Sequence, residues 1–246
     1  MTQGSYVRES LNSRAALFHT LARGFAPPVL GLAADVQPKQ FLASLGAAVT
    51  SHPGSLSEEF ERVRDACVNG ADGDPTISQE YTYLFMRRTK VPLTETSYGV
   101  DLTFAKPREM ADIGAFHEAF GLQLTREAGI TPDHLSVQLE FLAVLCAKEA
   151  YASEHGMEEA RQITRDARAR YLTDHMSGWL PLVRARIEKH ARIAFYPAIV
   201  SLVGAAVVWE HKESGAGEPR TYGLAPVEDD RANPVECGVA VPSVPT

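Results

Sequence analysis

From residue 11 to residue 211, apolar residues recur at three- and four-residue spacing, and alternating strand patterns are nearly absent. That period predicts helices, because a 3.6-residue repeat is what gathers such positions on one face. Leu11, Ala15, Phe18 and Leu21 make one stripe, which stops before Pro27 and Pro28. Pro38 suits the first turn of a second helix carrying Phe41, Leu42, Leu45 and Val49. Ser55 with Glu58 reads as a capping box for a third, with Leu56, Phe60, Val63 and Cys67 inward and Asn69–Gly70 as its stop. Thr76 with Gln79 opens a short fourth helix running to Met86. Pro107 opens a fifth, with Met110, Ile113, Phe116, His117 and Phe120 inward and Gly121 closing it.

The sixth helix has the clearest pattern. Thr131 reads as its cap and Pro132 as its first residue, followed by the stripe Leu135, Leu139, Leu142, Leu145 and Cys146. A charged seventh helix runs from Met157 to about Met176 on Ile163, Ala167 and Tyr171. Two more run from Trp179 to Arg192 and from Tyr196 to His211. The predicted fold is all-α: a single helical-bundle domain of about eight or nine helices over residues 1–211, with an irregular Pro/Gly-rich acidic tail over 212–246. The tail has too little apolar content to offset its ordering entropy, so it is expected on the surface, pinned through Leu224 or Val239–Val241. Weak strand-like runs occur only near Tyr222–Val227 and Val235–Val241. A long connection, Arg87–Lys106, interrupts the helical body, and connections of that length are usually functional or disordered.

Charge narrows the partners. Thirty-one acids against 24 bases give −7, which disfavours nucleic acid, since a phosphate backbone demands a basic surface. A cationic partner remains compatible. The three cysteines are scattered and without CxxC spacing, so neither a disulfide framework nor a structural zinc site is expected, and a reducing cytoplasm is the natural compartment. The first fourteen residues contain no apolar core of a secretory signal. Ile193–Trp209 carries no formal charge, but Pro197, Ser201 and Gly204 interrupt it and it is shorter than the roughly 20 apolar residues of a membrane span. It reads as a buried core helix, without stable membrane insertion.

Enzyme motifs are sparse. There is no GxxxxGK[ST] phosphate loop, no GxGxxG after a strand, no GxSxG elbow and no HExxH. The order Asp133–His134 reverses that of metal-dependent phosphohydrolase helices. Arg87–Arg88, followed by polar Thr89 and Lys90, reads as an exposed basic turn and not as an export signal of this chain. Two segments are more informative. In Thr131-Pro132-Asp133-His134-Leu135, Asp133 is placed in a first turn, where it complements the helix dipole; capping alone would account for it. In Glu80-Tyr81-Thr82-Tyr83-Leu84-Phe85, Tyr81, Leu84 and Phe85 share one face, which taken alone is a core stripe.

Together these segments resemble the TorD/DmsD/NarJ family, cytoplasmic chaperones dedicated to molybdenum-containing oxidoreductases. The resemblance covers about residues 10–210. It rests on the Tyr81-x-x-Leu84-Phe85 helix with a Pro92…Ser97-Tyr98 loop, on Phe120-Gly121-Leu122 leading into Pro132-Asp133-His134-Leu135 and Leu139-Glu140-Phe141-Leu142, and on His175…Trp179 before an apolar Phe195–Tyr196 helix. Thr131 stands where many members carry an acid, Tyr81 where tryptophan is common, and the tail lies outside the common pattern. The tail resembles extensions in chaperones of DMSO-reductase-type enzymes that act on selenate, dimethyl sulfide or ethylbenzene.

The resemblance implies an all-helical protein without catalytic residues, cofactor or metal. Such a protein binds the twin-arginine signal peptide, the apoprotein, or both, of a molybdopterin-containing catalytic subunit and delays its export until the cofactor is inserted. A twin-arginine leader offers two guanidinium groups and then an apolar run, so recognition needs carboxylates beside a hydrophobic groove. On that reading Asp133, with Glu80 or Glu95, faces the arginine pair. His134 orients Asp133 or bonds the peptide backbone, Tyr81, Leu84, Phe85, Tyr98 and Trp179 line the apolar part, and Ser97 of the loop is a further peptide-binding residue. The competing readings are a NarJ-type chaperone acting on the mature enzyme body, a helical enzyme using Asp133 and His134 with a metal, and a plain helical scaffold.

Overall fold

The computed structural model describes residues 3–28, 38–52, 54–68, 76–86, 89–99, 105–124 and 129–222. These form nine α-helices and no strand among the described residues, in agreement with the helical period. They are α1 (Gln3–Phe25), α2 (Pro38–Val49), α3 (Gly54–Val68), α4 (Ile77–Tyr81), α5 (Ala105–Ala119), α6 (Leu135–Glu154), α7 (Glu158–Tyr171), α8 (Leu180–His190) and α9 (Phe195–Ser214). Two π turns extend helices in place of ordinary ends: Thr82–Met86 after α4 and Leu172–Met176 after α7. Such turns are rare and cluster at functional sites.

Helix α6 is the axis of the molecule. Leu135, Leu139, Leu142, Leu145 and Cys146 are buried as expected, but so are Val137, Gln138, Phe141, Ala143 and Glu149 on its other faces. A helix buried all round must have neighbours on every side. Helix α1 lies along it and α7 folds back on it, while α5 brings His117 to 4.5 Å of Phe141, ring centre to ring centre. Helix α9 packs against α3 and α8, and Phe195, Tyr196, Ile199, Val200, Leu202 and Val203 are all buried. The uncharged run at 193–209 is therefore a core helix, and no helix among the described residues is long and apolar enough to cross a membrane.

Several local expectations hold. Thr76 and Gln79 exchange both bonds of the capping box, Thr76 Oγ1 accepting from Gln79 N (3.2 Å) and Gln79 Oε1 from Thr76 N (2.9 Å). Gly121 takes the left-handed conformation that closes the α5 segment (φ 77°). Others do not hold. Helix α3 begins at Gly54, one residue ahead of the expected cap Ser55, and α5 begins at Ala105, with Pro107 inside its first turn.

Helix α6 begins at Leu135 with His134 as its cap, not at Pro132 with Thr131. The reason is tertiary. The Asp133 carbonyl accepts from Glu95 N (3.0 Å) and Leu135 N donates to Leu93 O (2.7 Å), so the connecting loop claims the backbone groups that an earlier helix start would need.

Of the apolar stripe expected on α7, Tyr171 is fully buried and Ala167 half-buried, but Ile163 is 55% exposed and Arg168, only 2% exposed, takes an inward place. Arg168 lies between Glu149 of α6 (2.7 Å) and Glu210 of α9 (2.9 Å), and buried charge is tolerable when it is paired in this way. Burial opposes its charge, but Cys146, Glu210 and Glu149 outweigh burial and hold the guanidinium ionised.

Helix α9 continues past His211 to Ser214 and ends at Gly215, whose left-handed backbone (φ 75°) gives the cap. The expected anchors Leu224 and Val239–Val241, and the weak strand-like runs beyond Tyr222, lie outside the described residues.

Candidate functional site

The side chains singled out from the sequence do not line one open trough. They fall into two buried clusters joined by the connecting loop. In the first, Tyr81 packs edge-on to Phe85 (5.0 Å between ring centres), Phe85 meets Tyr196 at 5.0 Å, and the Tyr81 hydroxyl donates to the Phe25 carbonyl (3.4 Å). Leu84 is fully buried beside them, and its carbonyl accepts from Lys90 N (3.1 Å) and Val91 N (3.0 Å), which starts the loop.

Glu80 faces inward. It accepts from the backbone N of Arg192 (2.7 Å) through one oxygen and from its guanidinium (2.8 Å) through the other. The same guanidinium lies 3.7 Å over the Tyr83 ring. Glu80 thus fastens the α8–α9 joint, and its charge is already answered.

The second cluster is polar. A short 3-10 turn, Glu95–Ser97, sits on the start of α6, and Thr94 bridges antiparallel to His134. Asp133 is fully buried: one oxygen accepts from Thr96 N (3.2 Å) and Thr96 Oγ1 (2.7 Å), the other from Thr131 Oγ1. His134 accepts at Nδ1 from Ser136 N (3.2 Å), so its ring proton is on Nε2. Burial, outweighing the attraction of Asp133, lowers its pKa to about 4 and keeps it neutral near pH 7. Because Asp133 and His134 turn to different partners, they do not form a joint ligand or acid–base pair.

Glu95, also buried, receives Gln138 Nε2 and the hydroxyl of Tyr222, with His175 Nδ1 at 3.1 Å. Trp179 donates its indole N–H to the His175 carbonyl (2.6 Å) and lies 5.6 Å from Tyr98, ring to ring. The Tyr98 hydroxyl donates to the Pro92 carbonyl (2.8 Å). Ser97 is half-buried, its hydroxyl 2.7 Å from that of Thr94. The structure therefore brings together Glu95, Ser97, Tyr98, Asp133, His134 and Trp179, and sets Glu80, Tyr81, Leu84 and Phe85 in the separate aromatic cluster.

What remains open to a ligand lies on the outer side of the polar cluster. Asp112 of α5 is 68% exposed, with a carboxylate oxygen 3.7 Å from His175 Nε2. Asp174, in the second π turn, is 39% exposed and pairs with Arg170 (3.2 Å). Glu109, one turn before Asp112, pairs with Arg220.

Continuing from the π turn through Ser177 is a cleft of about 300 Å³ between α3, α8 and α9, lined by Leu180, Pro181, Val200, Gly204, Val207 and Val208. A second cleft, of about 440 Å³, lies between α1 and the start of α6, with His19 and Arg23 on its rim. Sequence reasoning missed Thr96, Gln138, Glu109, Asp112, Asp174 and Tyr222. The four-residue step from His175 to Trp179 was the one local signal for a bonded pair; the other contacts bring together residues far apart in the chain.

A family model described as the nitrate reductase delta subunit matches residues 53–185, a span that contains every candidate residue named from the sequence. The chain is 34% identical over 166 residues to the selenate reductase assembly chaperone protein of Thauera selenatis, covering 65% of this chain and 82% of that protein. It is 29% identical over 97 residues to the perchlorate reductase assembly chaperone protein of Dechloromonas aromatica, covering 39% and 42% of the two chains. It is 25% identical over 177 residues to the chaperone protein TorD of Vibrio parahaemolyticus, covering 69% and 77%. With more than half of its length matched, and with an all-helical body built around the same segments, the chain belongs to the nitrate reductase delta subunit family, that of the TorD- and NarJ-type assembly chaperones.

Proposed function

We propose that this protein is a dedicated maturation chaperone of a molybdenum-cofactor oxidoreductase. It holds the catalytic subunit in the cytoplasm, by its twin-arginine leader, until the cofactor is in place. The molybdenum cofactor is then the client's, and the chaperone's own task is binding, so no catalytic residue is assigned. Its assembly-chaperone relatives motivate the class of client. The observation that carries the leader reading is the surface adjacency of an acidic strip and an apolar cleft that begins at Ser177 and Leu180. The strip is the exposed carboxylate of Asp112, flanked by Glu109 and Asp174 in exchangeable pairs with Arg220 and Arg170.

The chemistry of a leader fits that surface in order. Guanidinium groups favour carboxylates, and the apolar run that follows them favours a groove of aliphatic side chains. The cleft beside α1 carries Arg23 and a His19–Glu140 pair (2.8 Å) on its rim, one paired carboxylate where the strip offers three. Glu95 and Asp133 act one layer deeper: they hold the 95–98 turn and the start of α6 in register, and so fix the face that carries the strip.

Calorimetry with a synthetic twin-arginine leader peptide, two adjacent arginines followed by an apolar run, tests the reading. Asp112→Asn with Asp174→Asn should weaken binding by about tenfold, and more at low salt than at high salt, as screened surface pairs do. Val208→Glu, at the 55% exposed valine of the cleft, should remove most of the apolar contribution. If both variants bind as the unmodified protein does, the surface is wrong. If leaderless apoprotein binds as tightly as the full subunit, the grip is on the enzyme body.

A further inference from the structure

Beyond α9 the chain turns back at Gly215 and lays a short strap, Gly215–Tyr222, across the second π turn. Gly217 N donates to Thr173 Oγ1 (3.0 Å) and Arg220 N to the Thr173 carbonyl (2.9 Å). The π turn makes this seat: Ser177 N reaches back five residues to Leu172 O (3.0 Å), and the neighbouring Thr173 carbonyl is taken by the strap. His211 clips the strap from the other side, with one ring nitrogen 2.7 Å from Gly217 O and the other 2.9 Å from Ser177 Oγ.

The strap ends in two contacts that concern the acidic strip directly. The Arg220 guanidinium sits on Glu109, and the Tyr222 hydroxyl donates to the Glu95 carboxylate, with the Asp174 carbonyl oxygen 3.0 Å away. Arg220 also lies 5.2 Å over the Tyr222 ring. The strap therefore places a guanidinium on Glu109 of the strip and an aromatic ring against the deeper Glu95, beside the Asp174 backbone. Beneath it, His175 is 1% exposed and its Nε2 makes no hydrogen bond, its closest charged group being Asp112 Oδ2 at 3.7 Å.

Glu95 does not need the strap for its own satisfaction, since Gln138 and His175 remain. Residues 217–221 are exposed, whereas Ala216 and Tyr222 are partly buried against the core, so lifting the strap means releasing those two side chains.

We propose that Gly215–Tyr222 is a built-in competitor for the client site. Arg220 and Tyr222 occupy the places that an arginine-bearing client segment takes, and binding of the client lifts the strap. This rests on the leader reading and adds its regulation: a chaperone whose acidic strip is self-covered is protected from unspecific cationic peptides, and it releases its client by re-covering the strip.

Gly178 supplies a clean test. A Cβ at this position would lie 1.9 Å from the Arg220 carbonyl and 2.8 Å from the Tyr222 ring, so Gly178→Ala forces the strap away without altering the strip, the cleft or the strap's own sequence. The probe is a synthetic peptide carrying adjacent arginines followed by leucines, with a control in which glutamines replace the arginines. Full-length Gly178→Ala, and separately Arg220→Ala with Tyr222→Ala, should bind the arginine peptide about tenfold more tightly than the unmodified chain, the gain expected if the strap is open about a tenth of the time. Saturating the unmodified chain with peptide should speed hydrogen exchange at the Gly217 and Arg220 amides.

Equal affinity in all three forms, or strap amides still protected at saturation, overturns the competitor role while the leader reading stands. Failure of every form to bind the arginine peptide in preference to its control overturns both.

Discussion

Asp133 separates a residue that shapes the site from one that touches the client, and the two roles predict opposite results for one substitution. In the structure Asp133 is fully buried, and its acceptors serve Thr96 N, Thr96 Oγ1 and Thr131 Oγ1. Asp133→Ala removes both acceptor oxygens and so the partner of all three donors. Thr131 is exposed and recovers its bond from water, but Thr96 is buried, so its amide and hydroxyl lose partners with no replacement. A buried donor left unpaired costs about 1–3 kcal/mol, partly offset by no longer burying a carboxylate, for a net loss of about 3 kcal/mol. For a chain of this size that is roughly 6–12 °C in the melting temperature. Asp133→Asn keeps one acceptor oxygen and should cost about 1 kcal/mol.

Scanning calorimetry measures both variants, and leader-peptide calorimetry well below the transition should find affinity within about twofold of the unmodified chain. If Asp133→Ala melts with the unmodified protein but loses affinity, Asp133 is a ligand contact and the layered arrangement described above is wrong.

Other consequences follow from buried charge and burial itself. His134 and His117 are both held down to about 4 by burial, against 6.5 in an unfolded chain, so the unfolded state binds more protons between those values. Stability is therefore complete above about pH 6.5 and is lost as pH falls toward 4, by about 3 kcal/mol for His134; His134→Asn, which can still cap α6, should flatten the acid limb of a urea-unfolding series. Arg168→Met leaves Glu149 and Glu210 buried beside an apolar chain and should cost about 3–5 kcal/mol in urea unfolding, whereas an exposed pair such as Arg184–Glu188 should cost under about 1 kcal/mol. The Cys146 thiol, fully buried and pushed up to about 12 by desolvation, should resist Ellman's reagent until the chain unfolds; rapid labelling of the native protein at that position would contradict the packing of α6 against α7.

The helices were legible because each carries its own period and its own stops. The stripe on α6, the capping box at Thr76 and the left-handed Gly121 are local features, settled within a few residues of chain. The candidate residues were legible as a set but not as an arrangement. Glu80, Glu95 and Asp133 all read as carboxylates for a guanidinium, and the structure gives each an internal partner: Arg192 for Glu80, His175 and Gln138 for Glu95, Thr96 for Asp133. Those partners lie between 37 and 112 residues away, beyond the reach of any local pattern. The burial of Arg168 had no local signal for the same reason, since Glu149 and Glu210 reach it from two other helices.

By itself, the sequence determined an all-helical chain, the order of its helices and the group of segments that marks its family, because period, caps and breakers act over one or two turns. Tertiary structure alone decided where α6 begins, which carboxylates are interior and which face outward, and that residues just past α9 return to set Arg220 on Glu109. Each of these depends on a backbone or charged group choosing between water and a partner remote in the chain, and only the packed fold brings that partner within reach.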